Sequence, residues 1–338
     1  MDAPAAESPV RDPVLVLIGP TAVGKTALSL ALAERFSCEI VGLDSMQIYR
    51  HMDIGTAKAT AEERARVPHH LLDVVSPDEE YHVARYVADA TQACREIIAR
   101  GNRPLLVGGT GLYLKGLLEG LFEIPGIPEA VRESLRQRLA EEGRAVLFAE
   151  LAQCDPESAS RIHPNDTHRL LRALEIFQAT GRSWSEHLRE QQAQPSLATV
   201  LQIGLDCERE ALYERINLRV EKMVEEGLLG EVEKLLAMGY DPGLKAMQSI
   251  GYRHMLQYLQ GQWDWDETLF LLARDTRRYA KRQMTWFGND PNIRWFAPSE
   301  TEAIFNCVES FLMHSLSPPL VKGETKNTVR NTRNVSIA

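Results

Sequence analysis

Short, fully apolar runs alternate with helically spaced ones through the first 120 residues. "PVLVLIG" (Pro13 to Gly19) is an unbroken β-branched run, the pattern of a strand covered on both faces in a parallel sheet. "KTALSLALAERF" (Lys25 to Phe36) then spaces its apolar residues as a helix does. "EIVGLD" (Glu39 to Asp44) reads as a second strand and "HLLDVV" (His70 to Val75) as a third. A helix is predicted from about Glu80 to Arg100, stopped by Gly101 and Pro104. "PLLVGG" (Pro104 to Gly109) is another buried strand, with a helix opening near Gly111. Strands alternating with helices predict a parallel α/β sheet.

Past Gly120 the pattern changes. Pro125, Gly126 and Pro128 punctuate a loop, and Glu129 to Leu188 reads as nearly continuous short helices with no strand-like run. "VLQIGLD" (Val200 to Asp206) returns to strand character. Three or four helices follow, up to a last strand in "NIRWFA" (Asn292 to Ala297). A helical block within α/β surroundings predicts an inserted domain. The expected division is a disordered arm over 1–13, a core over 14–122 and 198–316, the insertion over 123–197 and a disordered tail over 317–338. There is no internal repeat.

Composition narrows the class. The 338 residues are 44% hydrophobic and 25% charged, ordinary for a globular protein of one large or two modest domains. No apolar run approaches the ~18 residues needed to span a bilayer. "MDAPAAESPVRDP" has acidic residues and no apolar core, unlike a secretory or organelle leader. The five cysteines (Cys38, Cys94, Cys154, Cys207, Cys307) are scattered without a C-x-x-C pair, against a zinc site or disulfide framework and in keeping with the cytoplasm. A net charge of −9 speaks against non-specific nucleic-acid binding, so any such role needs basic residues gathered on particular faces.

"GPTAVGKT" (Gly19 to Thr26) satisfies G-x-x-x-x-G-K-[ST] and sits between an apolar strand and an amphipathic helix. Gly19, Thr21, Ala22 and Gly24 would turn backbone N–H groups around an anion at a helix N-terminus. Lys25 would neutralise phosphate oxygens and the Thr26 hydroxyl could ligate Mg²⁺. The motif indicates a phosphate or diphosphate without specifying ATP. In open parallel sheets ligands sit beyond the carboxyl ends of the strands, where Asp44 and "GGTGLY" (Gly108 to Tyr113) fall. On residue type alone, Asp44 could equally hold Mg²⁺ through water or cap a helix. The glycines could be a plain turn or an edge that a flat ligand approaches closely.

"GPTAVGKT", "DSMQIYRHMDIGTAK", "VPHHLLDVV", "LLVGGTGLYLKGLLEG", "RIHPNDTHRLLRALEI", "QSIGYR" and "AKRQMTWF" run in order from Gly19 to Phe287. Together they resemble the tRNA dimethylallyltransferases (tRNA isopentenyltransferases). The resemblance implies a P-loop NTPase-like parallel sheet core flanked by helices, with an inserted all-helical domain that contacts tRNA. It implies transfer of a dimethylallyl group from dimethylallyl diphosphate to the exocyclic amine of the adenosine just 3′ of certain anticodons. Asp44 would then be a general base for that amine, and the phosphate loop would stabilise departing diphosphate with Mg²⁺ and an arginine. The arginine maps to Arg219 in "YERINLRVEKMVEEG", with Arg215 on the same face. Without the resemblance, a solvated ion-pair helix is the favoured reading of that segment.

Two basic segments answer the charge objection. Arg274, Arg277, Arg278, Lys281 and Arg282 fall on a helical arc of roughly 140°, a stripe suited to phosphates. The segment Arg161 to Arg172 carries Arg169 and Arg172 at helical spacing plus His163 and His168. Either alone would read as a solvated face. The resemblance implies tRNA contacts from both, at His168, Arg169, Arg172, Lys281, Arg282 and Gln283. It adds Asp44, Ser45, Met46 and Gln47, and Gln248, Gly251, Tyr252 and Arg253, with Thr110 and Arg132 at further positions near the tRNA.

An adenine reaching a strand-end carboxylate must leave the anticodon-loop stack. The core and the inserted helices are therefore expected to form a channel, entered by the base from one side and the prenyl donor from the other. His69 and His70 face opposite ways on a strand and tie down structure rather than share a metal. Trp263 and Trp265 are expected at the surface of a turn. A monomer is expected. The absence of a Cys/His cluster near the end favours a bacterial-type enzyme over eukaryotic members with a zinc finger. The competing readings are an ATP-dependent small-molecule or nucleotide kinase, which leaves the basic stripe unexplained, and a GTP switch. The switch needs N-K-x-D, and no Asn here precedes Lys.

Overall fold

The computed structural model describes residues 9–120, 126–190 and 195–316. The expectations placed on residues 1–8, Pro125 and the tail over 317–338 lie outside them. The first 120 residues contain β1 (Val14–Ile18), α1 (Lys25–Phe36), β2 (Cys38–Leu43), α2 (Ala61–Arg66), β3 (His69–His70), α3 (Val83–Ala99), β4 (Arg103–Gly108) and α4 (Gly111–Glu119). Five helices follow: α5 (Glu129–Glu142), α6 (Arg144–Cys154), α7 (Pro156–Arg161), α8 (Thr167–Thr180) and α9 (Trp184–Glu190). The chain then returns with β5 (Val200–Leu205), α10 (Arg209–Glu225), α11 (Leu228–Ala237), α12 (Tyr252–Leu259), α13 (Trp265–Phe287), β6 (Ile293–Phe296) and α14 (Thr301–Leu316).

The six strands form a parallel sheet in the order β3-β2-β4-β1-β5-β6. β1 is central and wholly buried, with its side chains alternating between faces. Leu15 and Leu17 enter a core shared with α1, α10 and α14, while Val14, Val16 and Ile18 enter one shared with α3 and α4. Each fully buried aliphatic side chain contributes about 1.5–3 kcal/mol, so the sheet is a rigid base whose carboxyl edge can hold loops in place. A third core joins the segment after β2 to α10, α11, α12 and α13 through Ile48, Met52, Val220, Leu228, Tyr252 and Leu272. Helices α5 to α9 bury a core of their own around Leu135, Leu147, Leu151, Leu170 and Leu174.

Two expectations change. Residues 9–13 do not belong to a disordered arm: Val10 is buried, its N–H donates to Ser196 O and its carbonyl accepts from Ala198 N. "HLLDVV" is not a six-residue strand. Only His69 and His70 pair with β2, and Leu71 and Asp73 take left-handed backbone (φ 60° and 57°). The cause is electrostatic. Lys58 and Arg64 capture the Asp73 carboxylate and Arg50 captures its carbonyl, turning the chain so that Val74 N reaches Ile48 O.

His70 is structural. Its ring lies 2.6 Å from the buried Glu39 carboxylate, which also accepts from Arg100 and Asn102. Bonds from Arg100 foremost hold the Glu39 carboxyl down to about 2 against its burial. Trp263 lies 5.8 Å from the His254 ring, while Trp265 opens α13 and packs edge-on to Tyr258 in the third core, half-buried rather than on the surface.

Candidate active site

The phosphate loop leaves the carboxyl end of β1. Gly19 has φ 149°, and a Cβ there would lie 2.6 Å from Leu205 O, so only glycine passes. Ala22 (φ 66°) and Gly24 (φ 112°) continue the turn, and α1 starts at Lys25 with no side-chain cap from Gly24. First-turn N–H groups and the positive end of the helix dipole are thereby offered to an anion. Lys25 Nζ tucks under the loop, donating to Gly19 O (2.9 Å) and Pro20 O (2.7 Å). Burial foremost, and then the Arg219 guanidinium, pull its pKa down to about 7, with Asp44 opposing.

The loop, the carboxyl ends of β2 and β4, the segments 45–59 and 248–253, α10 and α13 line a cavity of about 740 Å³. Thr21, Ala22, Gly24, Lys25 and Thr26 line it from the loop; Asp44, Ser45, Met46 and Gln47 from the end of β2; Arg219 from α10. Gln248, Gly251, Arg253, Arg282 and Gln283 are also on its wall. Asp44 thus shares one cavity with the phosphate loop, Lys25 and Arg219. Its Oδ1 accepts from Met46 N (2.8 Å) and Gln47 N (3.3 Å), which fixes the carboxylate while engaging only one oxygen. Burial lowers the Arg219 pKa, and the Asp44 carboxylate opposes that shift. Arg215 serves the loop differently, donating to Val23 O at 3.0 Å.

The segment carrying Asp44 is pinned from two sides. Lys58, with a side chain 1% exposed, bonds Tyr49 O and bridges Asp53 and Asp73. Glu231 on α11 accepts the N–H groups of Asp53, Ile54 and Gly55 (2.9, 2.8 and 3.1 Å) and the Tyr252 hydroxyl. Gln47 Nε2 closes the segment by donating to Thr56 O and Ala57 O.

Several expected residues stand elsewhere or act otherwise. The Gly-Gly-Thr-Gly edge is approached closely by the protein itself, while Gly108 and Gly109 also line the cavity. A Cβ on Gly108 would lie 2.0 Å from Leu43 O, on Gly109 2.0 Å from Gln283 Nε2, and on Gly111 2.1 Å from Trp286 Nε1. Gln283 is buried inside α13, its Oε1 accepting from Thr21 N and its Nε2 donating to Gly109 O, so its amide is not on an outer RNA-facing surface. Tyr252 is fully buried against Glu231. Gly251 carries the turn into α12 with φ 97°. Thr110 does not line the cavity; its hydroxyl accepts from Ser45 N at 3.1 Å and ties the ends of β4 and β2 together.

The expected channel is also redrawn: no described residue of α5 to α9 lines the cavity, whose second wall is α10 and α13. Arg132, Arg169 and Arg172 sit in local ion pairs with Glu129, Asp166 and Glu175, and His168 is exposed on α8. The basic arc of α13 is divided among partners. Arg277 donates to Asn217 of α10, Arg274 and Arg278 pair with Asp275, Arg282 lies over Tyr279 at the cavity, and Lys281 is exposed. Tyr279 was missed from sequence. It lies about 60° beyond the arc on the cavity side, where burial and then Asp44 raise its pKa.

A family model described as IPP transferase matches residues 47–290, and a second, isopentenyl transferase, matches residues 13–76. The chain belongs to the IPP transferase family. Among its relatives, the tRNA dimethylallyltransferase of Desulfotalea psychrophila is 52% identical over 311 residues, covering 92% of this chain and 99% of the relative. That of Geobacter sulfurreducens is 47% identical over 300 residues, covering 89% and 96%. A crystal structure of the tRNA isopentenylpyrophosphate transferase of Bacillus halodurans is 41% identical, with TM-score 0.66 over 90% of this chain and 98% of that one. A eukaryotic dimethylallyltransferase acting on tRNA is 29% identical, with TM-score 0.77 over 90% and 80%. The IPP transferase match spans the cavity walls from Gln47 to Gln283, and the isopentenyl transferase match covers the phosphate loop and Asp44. The kinase and switch readings gain no support from these relatives.

Proposed function

We propose that this protein transfers the dimethylallyl group of dimethylallyl diphosphate to the exocyclic amine of the adenosine 3′-adjacent to the anticodon of tRNA. The placing of Asp44 and the phosphate loop on one cavity carries this reading. Loop N–H groups, Lys25 and Arg219 hold the diphosphate. As the allylic C–O bond breaks, the charge gathering on the leaving oxygen is met by donors already in place. The amine nitrogen forms the new C–N bond and its proton passes to the Asp44 carboxylate, held ready through Oδ1. Products are isopentenyladenosine in tRNA, diphosphate and one proton.

The donor set suits Mg²⁺. Thr26 offers a hard hydroxyl oxygen on the cavity wall, and this ion takes few protein ligands, filling its sphere with water and phosphate oxygens. Among the described residues no cluster of three or more His, Cys, Asp or Glu could hold a metal alone, in keeping with joint binding through the diphosphate. Bound there, Mg²⁺ would neutralise charge on the departing diphosphate.

The RNA-facing residues in this reading are Ser45, Met46, Gln47, Gln248, Arg253 and Arg282 on the cavity wall, with Lys281 exposed on α13 and Arg132, His168, Arg169 and Arg172 on the outer helices. One chain builds the whole cavity, which supports a monomer. No helix of the described residues is long and apolar enough to cross a membrane, and five free cysteines suit a reducing cytoplasm. Incubation with dimethylallyl diphosphate, Mg²⁺ and unmodified tRNA tests the reading. Digested nucleosides should show an adenosine heavier by one isoprene unit; unaltered nucleosides would overturn it.

A further inference from the structure

Three arginines converge on one acid beside the cavity. Asp275 on α13 accepts from Arg253 Nη2 at 2.5 Å, Arg274 Nε at 2.9 Å and Arg278 Nη1 at 3.5 Å. The acid side chain is 13% exposed, and those of Arg253, Arg274 and Arg278 are 38%, 37% and 62% exposed. Three cations against one anion leave the cluster at +2. Each guanidinium has five N–H donors and commits one to Asp275 here, so the acid orders the group without consuming it. His254, buried beside Asp275, adds no charge at neutral pH: burial first, then Arg253, hold its pKa down to about 4.

Without the acid these guanidiniums would repel and their long side chains would disperse over many rotamers. With it, Arg253 on the cavity wall is joined to Arg274 and Arg278 on α13, a helix that itself flanks the cavity through Thr276 and Tyr279. A polyanion whose charges repeat along a backbone matches such a row through charge-assisted, bidentate bonds.

We propose that Asp275 is a positioning residue for RNA, locking Arg253, Arg274 and Arg278 into one rack that grips the ribose-phosphate backbone beside the nucleotide entering the cavity. This rests on the tRNA reading above and adds to it an acid that strengthens binding to a polyanion.

Asp275→Asn separates positioning from charge. Counting charges alone, removing a carboxylate from a basic face tightens tRNA binding and steepens its salt dependence. Positioning requires the reverse: tRNA Kd about tenfold weaker and a log–log salt slope shallower by about one. The tRNA KM rises while the dimethylallyl diphosphate KM stays unchanged. A double-mutant cycle with the exposed Arg278→Gln holds the test even if Asp275→Asn lowers the melting temperature. Arg278→Gln should weaken tRNA binding several-fold in the wild-type background and less than twofold once Asp275 is gone. Binding by Asp275→Asn equal to or tighter than wild type, or an additive cycle, overturns the inference alone. Wild-type protein that neither binds nor prenylates tRNA overturns the underlying reading as well.

Discussion

Gln283 holds Thr21: its Oε1 accepts the Thr21 N–H at 2.9 Å, while its Nε2 donates to Gly109 O at 3.1 Å. One buried amide thus spans the phosphate loop and the end of β4, fixing the loop relative to the carboxyl ends of the strands. Gln283→Ala leaves Thr21 N and Gly109 O without this partner, a cost of about 1–3 kcal/mol. A lowered melting temperature and a raised KM for dimethylallyl diphosphate are expected; an unchanged KM would detach Gln283 from the cradle.

Asp44→Asn keeps an oxygen able to accept from Met46 N and Gln47 N, yet cannot serve as the base. Turnover should fall about a hundred- to ten-thousand-fold, the range for lost general-base catalysis, with donor Kd nearly constant. Single-turnover transfer alongside equilibrium donor binding separates the two. Turnover near wild type would remove Asp44 from the proton path.

Lys25 should make donor binding pH-dependent. In the free protein it loses its charge as pH rises through about 7. A bound diphosphate favours the charged ammonium and raises that pKa, so binding takes up a proton in the interval between the two values. Donor affinity should therefore weaken as pH climbs above about 7. Lys25→Arg keeps its charge throughout, and its Kd should follow only the titration of the diphosphate itself. Superimposable pH profiles for the two proteins would contradict the assignment.

Glu231 lies outside the cavity lining yet holds three consecutive N–H groups of the Asp44-bearing segment. Glu231→Ala should destabilise the fold by about 1–3 kcal/mol and speed hydrogen exchange at Asp53, Ile54 and Gly55. The tRNA KM should rise several-fold, because Gln47 and its neighbours lose their seat. Exchange rates matching wild type would show that Glu231 does not hold the segment.

Local pattern made much of this protein legible. Unbroken apolar runs marked β1 and β4 because a central parallel strand is covered on both faces, and β5 kept that character despite Gln202. The phosphate loop and the strand-end position of Asp44 could be read directly, since a short contiguous motif binds with its own backbone. The opposite held for "HLLDVV", whose apolar character suggested a strand until Lys58, Arg64 and Arg50 took the polar groups of Asp73.

What the chain determined by itself, then, is the order of strands and helices, the glycine-bearing loop after β1 and the acid at the end of β2: properties of contiguous residues and their periodicity. Tertiary structure alone decided that the glycines after β4 admit Gln283 and Trp286, that the cavity's second wall is α10 and α13, and that Asp275 gathers arginines from two helices. Thr21 and Gln283 lie 262 residues apart. No local spacing rule links such groups, because their meeting depends on the packing of whole helices against the sheet.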